Sequence, residues 1–155
     1  MWWRLKRSEF AKQTGQKNKR MLKRIVDSGE VPGLLAYADS DPVGWCSVAP
    51  REAYPVLERS PTLKRVDDRP VWSVVCFFVA KPFRGKGLMA SLLHAAVKYA
   101  KEQGAAIIEG YPIESKGARM SGSEGFTGLV STFKKAGFLE VLRRSRGRPI
   151  MRYFA

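Results

Sequence analysis

Hydrophobic positions along the chain fall into three patterns, each predicting a different element. From Gln16 to Asp27, Met21, Leu22, Ile25 and Val26 recur at helical spacing with basic residues opposite, which predicts an amphipathic helix. Gly29 is placed to stop it, with Pro32 following. The stretch from Gly33 to Pro50 reads as two strands around a Ser40-Asp41-Pro42 turn. Four prolines between residues 50 and 70 break any periodicity and predict an irregular excursion with one short helix. From Val71 to Ala80 the pattern is a continuous apolar run instead of an alternation, as in a strand covered on both faces.

A glycine-containing turn, KPFRGKG, follows that strand and leads into a segment in which Leu88, Leu92, Ala96 and Ala100 line one helical face. Gly104 ends this helix, and Ala105 to Ile113 reads as the next strand. Residues 71–113 are thus a β-α-β unit, expected to be parallel and right-handed. Residues 115–125, rich in glycine and serine, are expected to be mobile. A last helix is predicted over 127–135, ended by Gly137, followed by one or two strands to the end of the chain. The whole predicts one α/β domain over residues 1–155: a mixed, mostly antiparallel central sheet with helices on both faces.

Composition narrows the function. With 45% apolar and 27% charged residues in 155, the chain can bury a core without a metal or disulfide staple. Cys46 and Cys76 lie in apolar stretches and read as buried free thiols. His94 is the only histidine and no C-x-x-C spacing occurs, so no metal site is expected. The longest apolar run, Val74 to Ala80, is far short of the roughly 20 residues that span a bilayer. The opening MWWRLKR carries charge where a signal peptide needs apolar residues, so a cytoplasmic protein with no membrane partner is expected.

The formal charge is +14, and it is concentrated at the ends. Residues 1–30 hold nine basic and three acidic residues, and residues 134–152 hold seven and one. Such a field draws anions, whether nucleic acid, anionic lipid or a phosphate-bearing cofactor, although solvated basic faces serve solubility equally well. No aromatics interleave with the arginines between Arg143 and Arg148, so no base-stacking platform is indicated there.

The turn Arg84-Gly85-Lys86-Gly87 sits between a buried strand and a helix start. Glycines there allow close backbone approach, and the first N–H groups of the helix lack helical partners, so a pyrophosphate fits. A tight turn that merely needs glycine fits as well. A Walker loop fails because Leu88 follows Gly87. A dinucleotide fingerprint, Gly85-x-Gly87-x-x-Ala90 with Glu109 as ribose partner, would make the protein an oxidoreductase. Against it, Gly85 lies five residues beyond Ala80, and the 42 residues after Ile113 are too few for a second mononucleotide half.

The stretch Val79-Ala-Lys-Pro-Phe-Arg-Gly-Lys-Gly-Leu88 resembles the signature of the GCN5-related N-acetyltransferase (GNAT) superfamily, with Arg84-x-x-Gly87-x-Met89 in place of its [RQ]-x-x-G-x-[GA]. The order of elements and the Ala136-Gly137-Phe138 ending fit too, and only Trp2 to Leu5 is a candidate for the family's first strand. The resemblance implies an acetyl-CoA-dependent N-acetyltransferase in which an amine attacks the thioester directly. Its pantetheine arm would pair with the backbone of Phe77 and Val79. Its pyrophosphate would lie on Arg84, Gly85, Lys86, Gly87, Leu88 and Met89, where Met89 departs from the family's small residue. The family's usual tyrosine acid falls on Phe133, which cannot donate a proton.

Tyr111 and Glu109 are the substitute candidates, as acid and as base or amine-holding carboxylate, because they lie on the strand flanking the expected cleft. A half-buried strand tyrosine and a solvated strand-end carboxylate remain the plain alternatives. Cys76 has no histidine partner except His94, on a face shared with Lys98 and Lys101, which argues against a Cys-His dyad. The amine acceptor is unassigned: a small molecule, a lysine or a protein N-terminus. A homodimer and an anionic partner at the basic ends stay open. The alternative function is a non-catalytic acyl-CoA-binding or nucleic-acid-binding module on the same fold.

Overall fold

The structure, a computed structural model, describes residues 1–115 and 125–155. The first hairpin is present as β1 (Leu34–Ala38) and β2 (Asp41–Pro50). Its turn is Asp39-Ser40, where Asp39 takes φ 52°, so Asp41 and Pro42 belong to the strand instead of the turn. Pro42 is tolerated because it stands exposed at the strand's start, paired with Tyr37 beside a register shift. The predicted buried strand is β3 (Trp72–Val79), antiparallel to β2. Most of it is buried, but Phe78 is exposed, so the apolar run hides one open position.

The glycine turn leads into α4 (Leu88–Glu102), whose Leu92, Leu93, Ala96, Val97 and Ala100 are buried against the sheet. It is preceded by α1 (Arg7–Lys12), which the sequence pattern did not signal, α2 (Gln16–Asp27) and α3 (Pro55–Arg59) within the proline-rich excursion. The apolar face of α2 is only half covered, and Val26 is exposed. After α4 come β4 (Ile107–Gly110), α5 (Val130–Lys135), β5 (Leu139–Ser145) and β6 (Arg148–Phe154). Trp2 to Leu5 forms turns, not a strand. The segment expected to be mobile lies, apart from its two end residues, outside the described residues.

The six strands form one sheet in the order β1-β2-β3-β4-β6-β5, in which only β3 and β4 are parallel. That arrangement is mixed and mostly antiparallel, as expected, and it removes the dinucleotide reading, which needs a doubly wound parallel sheet. One core, with Val48, Val74, Phe77, Ile108 and Met151, faces α4 and α5; a second, with Ala49, Val75, Tyr111 and Ile150, gathers Trp3, Tyr54 and Leu57 on the opposite face. Among the described residues no helix is long and apolar enough to cross a membrane.

Candidate active site

The site begins with an extra residue in β3. Ser47 pairs with Cys76 and Val48 with Val74, so Val75 has no partner on β2 and bulges the strand. A bulge bends its strand and interrupts the ladder. Val75 and Cys76 consequently both face the second core, while Val74 and Phe77 face the first. On the other edge, β3 pairs with β4 from Trp72 opposite Ile108 only as far as Val74 opposite Gly110. Beyond that point the chain after β4 turns to a single bridge between Ile113 and Leu129. The two parallel strands therefore part, and the edge of β3 from Val75 to Val79 pairs with no strand on that side among the described residues.

The gap is bounded by aromatic rings. Phe133 is fully buried and sits edge-on to Phe77 and Phe138, with centroids 6.2 and 4.9 Å away. Gly110 is required here, since a Cβ at that position would run into the Phe133 ring. Position 133 is thus a core position, and it brings no hydroxyl to the gap.

On one side lies a cleft of about 510 Å³ running along Phe77, Phe78 and Val79, over Arg84, Gly85 and Gly87, to Leu88, Met89 and Ala90 at the start of α4. Gly125, Phe126, Leu129 and Thr132 form its other wall. Gly85 and Gly87 have φ of 75° and 82°, a region costly for other residues, and a Cβ on either would point into open space. Gly87 caps α4: its carbonyl accepts from Ala90 and Ser91, while helical geometry leaves the N–H groups of Leu88 and Met89 without carbonyl partners. With the positive end of the α4 dipole and Arg84, these donors suit a pyrophosphate.

Seven of the eight residues expected to hold a cofactor line this cleft. Lys86 does not; its ammonium lies 5.6 Å from the centre of the Phe83 ring. Arg84 Nε donates to the Val79 carbonyl at 2.9 Å, so one lone pair of that acceptor is already used. Met89 packs against the first core while lining the cleft, which accommodates its length.

A second cleft, of about 570 Å³, opens on the other face of the sheet. Trp2, Trp3, Arg4, Leu22, Trp45, Ser47, Tyr54, Cys76 and Arg148 line it, and Phe126 borders both clefts. The Tyr54 hydroxyl lies 3.0 Å from Ser47 Oγ, which itself donates to the Pro32 carbonyl. Burial pushes the Tyr54 phenol up to about 12. Burial also raises Cys76, so its thiol stays protonated at neutral pH. Among the described residues, no carboxylate lines either cleft.

Glu109 and Tyr111 line neither cleft. Both are buried in an ion cluster on the second face. Glu109 Oε1 accepts from Arg51 Nη1 at 2.8 Å and from the Tyr111 hydroxyl at 2.7 Å, and Oε2 accepts from Arg152 Nε at 2.7 Å. The Tyr111 hydroxyl in turn lies 2.6 Å from Arg51 Nη1 and 2.8 Å from Ser73 Oγ. Arg51 also reaches Glu58 and the Leu63 carbonyl, and Arg152 holds Asp67 through both terminal nitrogens. Burial, then the Glu109 charge, raises the Tyr111 pKa well above its ordinary value. Arg152 and Arg148 lie within the basic tail that the sequence leaves open between an anionic partner and a solvated face. The one signal for Arg152 was its place directly after the apolar pair Ile150-Met151.

A family model described as the acetyltransferase (GNAT) family matches residues 1–111. No curated protein matches the chain in sequence. Among solved structures, a ribosomal-protein-alanine N-acetyltransferase from Brucella melitensis superposes with a TM-score of 0.57 at 18% identity, covering 90% of this chain and 78% of its own. A GNAT-family acetyltransferase from Listeria monocytogenes gives 0.59 at 12% identity, covering 97% and 77%. The NatC complex bound to Gag peptide and CoA gives 0.58 at 11%, covering 88% and 79%. At these identities the structures share the fold.

Proposed function

The chain belongs to the acetyltransferase (GNAT) family of acetyl-CoA-dependent N-acetyltransferases, and on that premise we propose that it joins the two clefts at Phe126 in one reaction, with cofactor on the α4 side and amine acceptor on the other. The observation that carries this reading is the parting of β3 from β4 beside a glycine loop that opens onto the N-terminus of α4. Bound there, acetyl-CoA supplies an activated acetyl thioester.

Arg84, Gly85, Gly87, Leu88 and Met89 hold the pyrophosphate by backbone N–H groups and charge, with Lys86 adding charge at longer range. Phe77, Phe78 and Val79 line the arm and exclude water from it. The acceptor amine enters along Trp3, Trp45 and Cys76 and attacks directly. With no carboxylate lining either cleft among the described residues, solvent takes the proton that the amine sheds before attack. The protonated Cys76 thiol and the Tyr54 hydroxyl are the cleft groups that carry protons near the gap. Glu109 and Tyr111 act in this reading as positioning residues: Ser73 and Glu109 are opposite each other in the last stretch where β3 and β4 pair, so their cluster fixes where the strands part. The reading includes one domain over residues 1–155 and a cytoplasmic location.

Thermal-shift titration with acetyl-CoA, CoA and NADH tests it, followed by thiol release with an amine panel. Stabilisation by both CoA species and not by NADH, with amine-dependent thiol release, is the expected result. Ligand at 100 times its Kd adds about 2.7 kcal/mol. Failure of acetyl-CoA to bind at micromolar concentrations overturns the reading. The buried Phe133 favours a second reading, a module that binds acyl-CoA without turnover, and binding without thiol release from any amine would establish it.

A further inference from the structure

Resting on the assignment of the Cys76 side as the acceptor cleft, we infer that the acceptor carries a carboxylate close to its amine, received by Arg148 and Arg4, together with an apolar body that lies on the tryptophans.

The argument starts from how the arginines on this face are neutralised. Arg51 and Arg152 are almost wholly buried, and each meets two carboxylates: Glu58 and Glu109 for the first, Glu109 and Asp67 for the second. Arg143 likewise pairs with Glu114 and Glu140. Arg148 is treated differently. It projects from β6 on the same face as Ile150 and Arg152, is half-buried, and has among the described residues one side-chain partner, the neutral Thr127 hydroxyl at 3.1 Å. No described carboxylate forms an ion pair with it, and burial lowers its pKa. A guanidinium has five N–H donors, and withdrawing it from water without an anion is costly.

Arg4 repeats the arrangement across the cleft. Its guanidinium stacks 5.0 Å from the centre of the Tyr54 ring and takes part in no described ion pair. Stacking on a ring leaves the in-plane donors of a guanidinium available to a carboxylate. Among the described residues, two arginines without acidic partners thus line a cleft of about 570 Å³ to which no acidic side chain contributes.

The remaining walls define the rest of the ligand. Trp3, Trp45 and Phe126 present aromatic surface, which rewards a hydrophobic body. Each basic segment contributes one arginine to this opening, Arg4 from residues 1–30 and Arg148 from residues 134–152. An anionic acceptor is therefore drawn to the mouth and paired inside. Amine, carboxylate and apolar body describe either a free amino acid with a large apolar side chain or a peptide N-terminus followed by an acidic residue.

The test is calorimetric binding to the full chain saturated with CoA, which removes any need for turnover. The probes are phenylalanine, phenylalaninamide, and the amidated peptides Ala-Asp-Phe and Ala-Lys-Phe. At least one carboxylate-bearing probe is expected to bind about tenfold or more tighter than its uncharged or cationic counterpart, the worth of a charged hydrogen bond. Preference within the phenylalanine pair identifies a free amino acid, and preference within the peptide pair an acidic N-terminus. Arg148→Gln is expected to abolish the discrimination and Arg148→Lys to keep part of it, both melting as cooperatively as the parent. Equal binding within both pairs, tighter binding of phenylalaninamide or the lysine peptide, no binding of any probe, or discrimination that survives Arg148→Gln each overturns the inference. CoA binding is measured first, so loss of the cofactor reading shows as no CoA binding and loss of this inference as CoA binding with a charge-blind acceptor cleft.

Discussion

Two polar regions share one face of the sheet and treat charge in opposite ways. In the cluster around Glu109, both arginines meet carboxylates, the tyrosine hydroxyl is shared among three partners, and the group is closed to water. In the acceptor cleft, Arg4 and Arg148 meet a ring and a neutral hydroxyl. The cluster comes from distant parts of the chain: Arg51 from the excursion, Glu109 and Tyr111 from β4 and its end, Arg152 from β6. It ties the proline-rich segment to the centre of the sheet, and the cleft beside it leaves its two arginines without a carboxylate among the described residues. On the inference drawn above, saturated charge marks structure here and unsaturated charge marks recognition.

The sharpest way to break that contrast is Glu109→Ala, which leaves Arg51 and Arg152 buried and underpaired. The expected loss is about 3–5 kcal/mol of stability, seen as a fall of about 10 °C or more in Tm. A variant that melts like the parent yet has lost turnover would instead make Glu109 a chemical participant. Tyr111→Phe sharpens the same point. It is expected to cost about 1–3 kcal/mol in denaturant unfolding and to leave kcat within a few-fold, whereas loss of a general acid lowers rate by about 10²–10⁴.

Moving to the cofactor side, Gly87→Ala forces a left-handed residue at the α4 cap. Stability should drop by about 1–2 kcal/mol, with CoA binding weakened in the same titration and the Glu109 cluster intact. The smallest effect is with pH. Arg152 and Arg69 hold the Asp67 carboxyl well below its ordinary pKa. Its folded value is depressed, so its contribution is complete above the unfolded pKa of about 4 and is lost as pH falls toward the folded value. Melts between pH 5 and pH 2 should show this loss, and Asp67→Asn should flatten it.

How much of this was legible in the sequence followed from the range of the interactions. The glycine loop, the face of α4 and the β3 run are set by neighbours within a few turns, and their periodicity shows it. The cluster is not local: Arg51 reaches Glu109 across 58 positions and Arg152 reaches Asp67 across 85. In composition those arginines look like any solvated basic residue. Glu109 was visible as an acid inside an apolar strand, but its partners were not, so its burial as a paired group could not be read. Trp2 to Leu5 was the only candidate for the family's first strand, yet in the fold Trp3 is buried in the second core and the segment is turned. The bulge in β3 was invisible for a related reason, since a run covered on both faces has no alternation for an extra residue to interrupt.

That extra residue separates two properties that usually travel together. Because Val75 is the unpaired position, removing it would leave Val74 and Cys76 to Val79 on the faces they already occupy, with every pairing to β2 kept in order. What would disappear is the bend. A chain shortened there is expected to fold around nearly the same core, less the buried Val75 side chain, while its two parallel strands run together and close the gap between them. On the proposed reading, the capacity to bring two molecules together is stored in the contour length of a single strand, one residue longer than its neighbour requires.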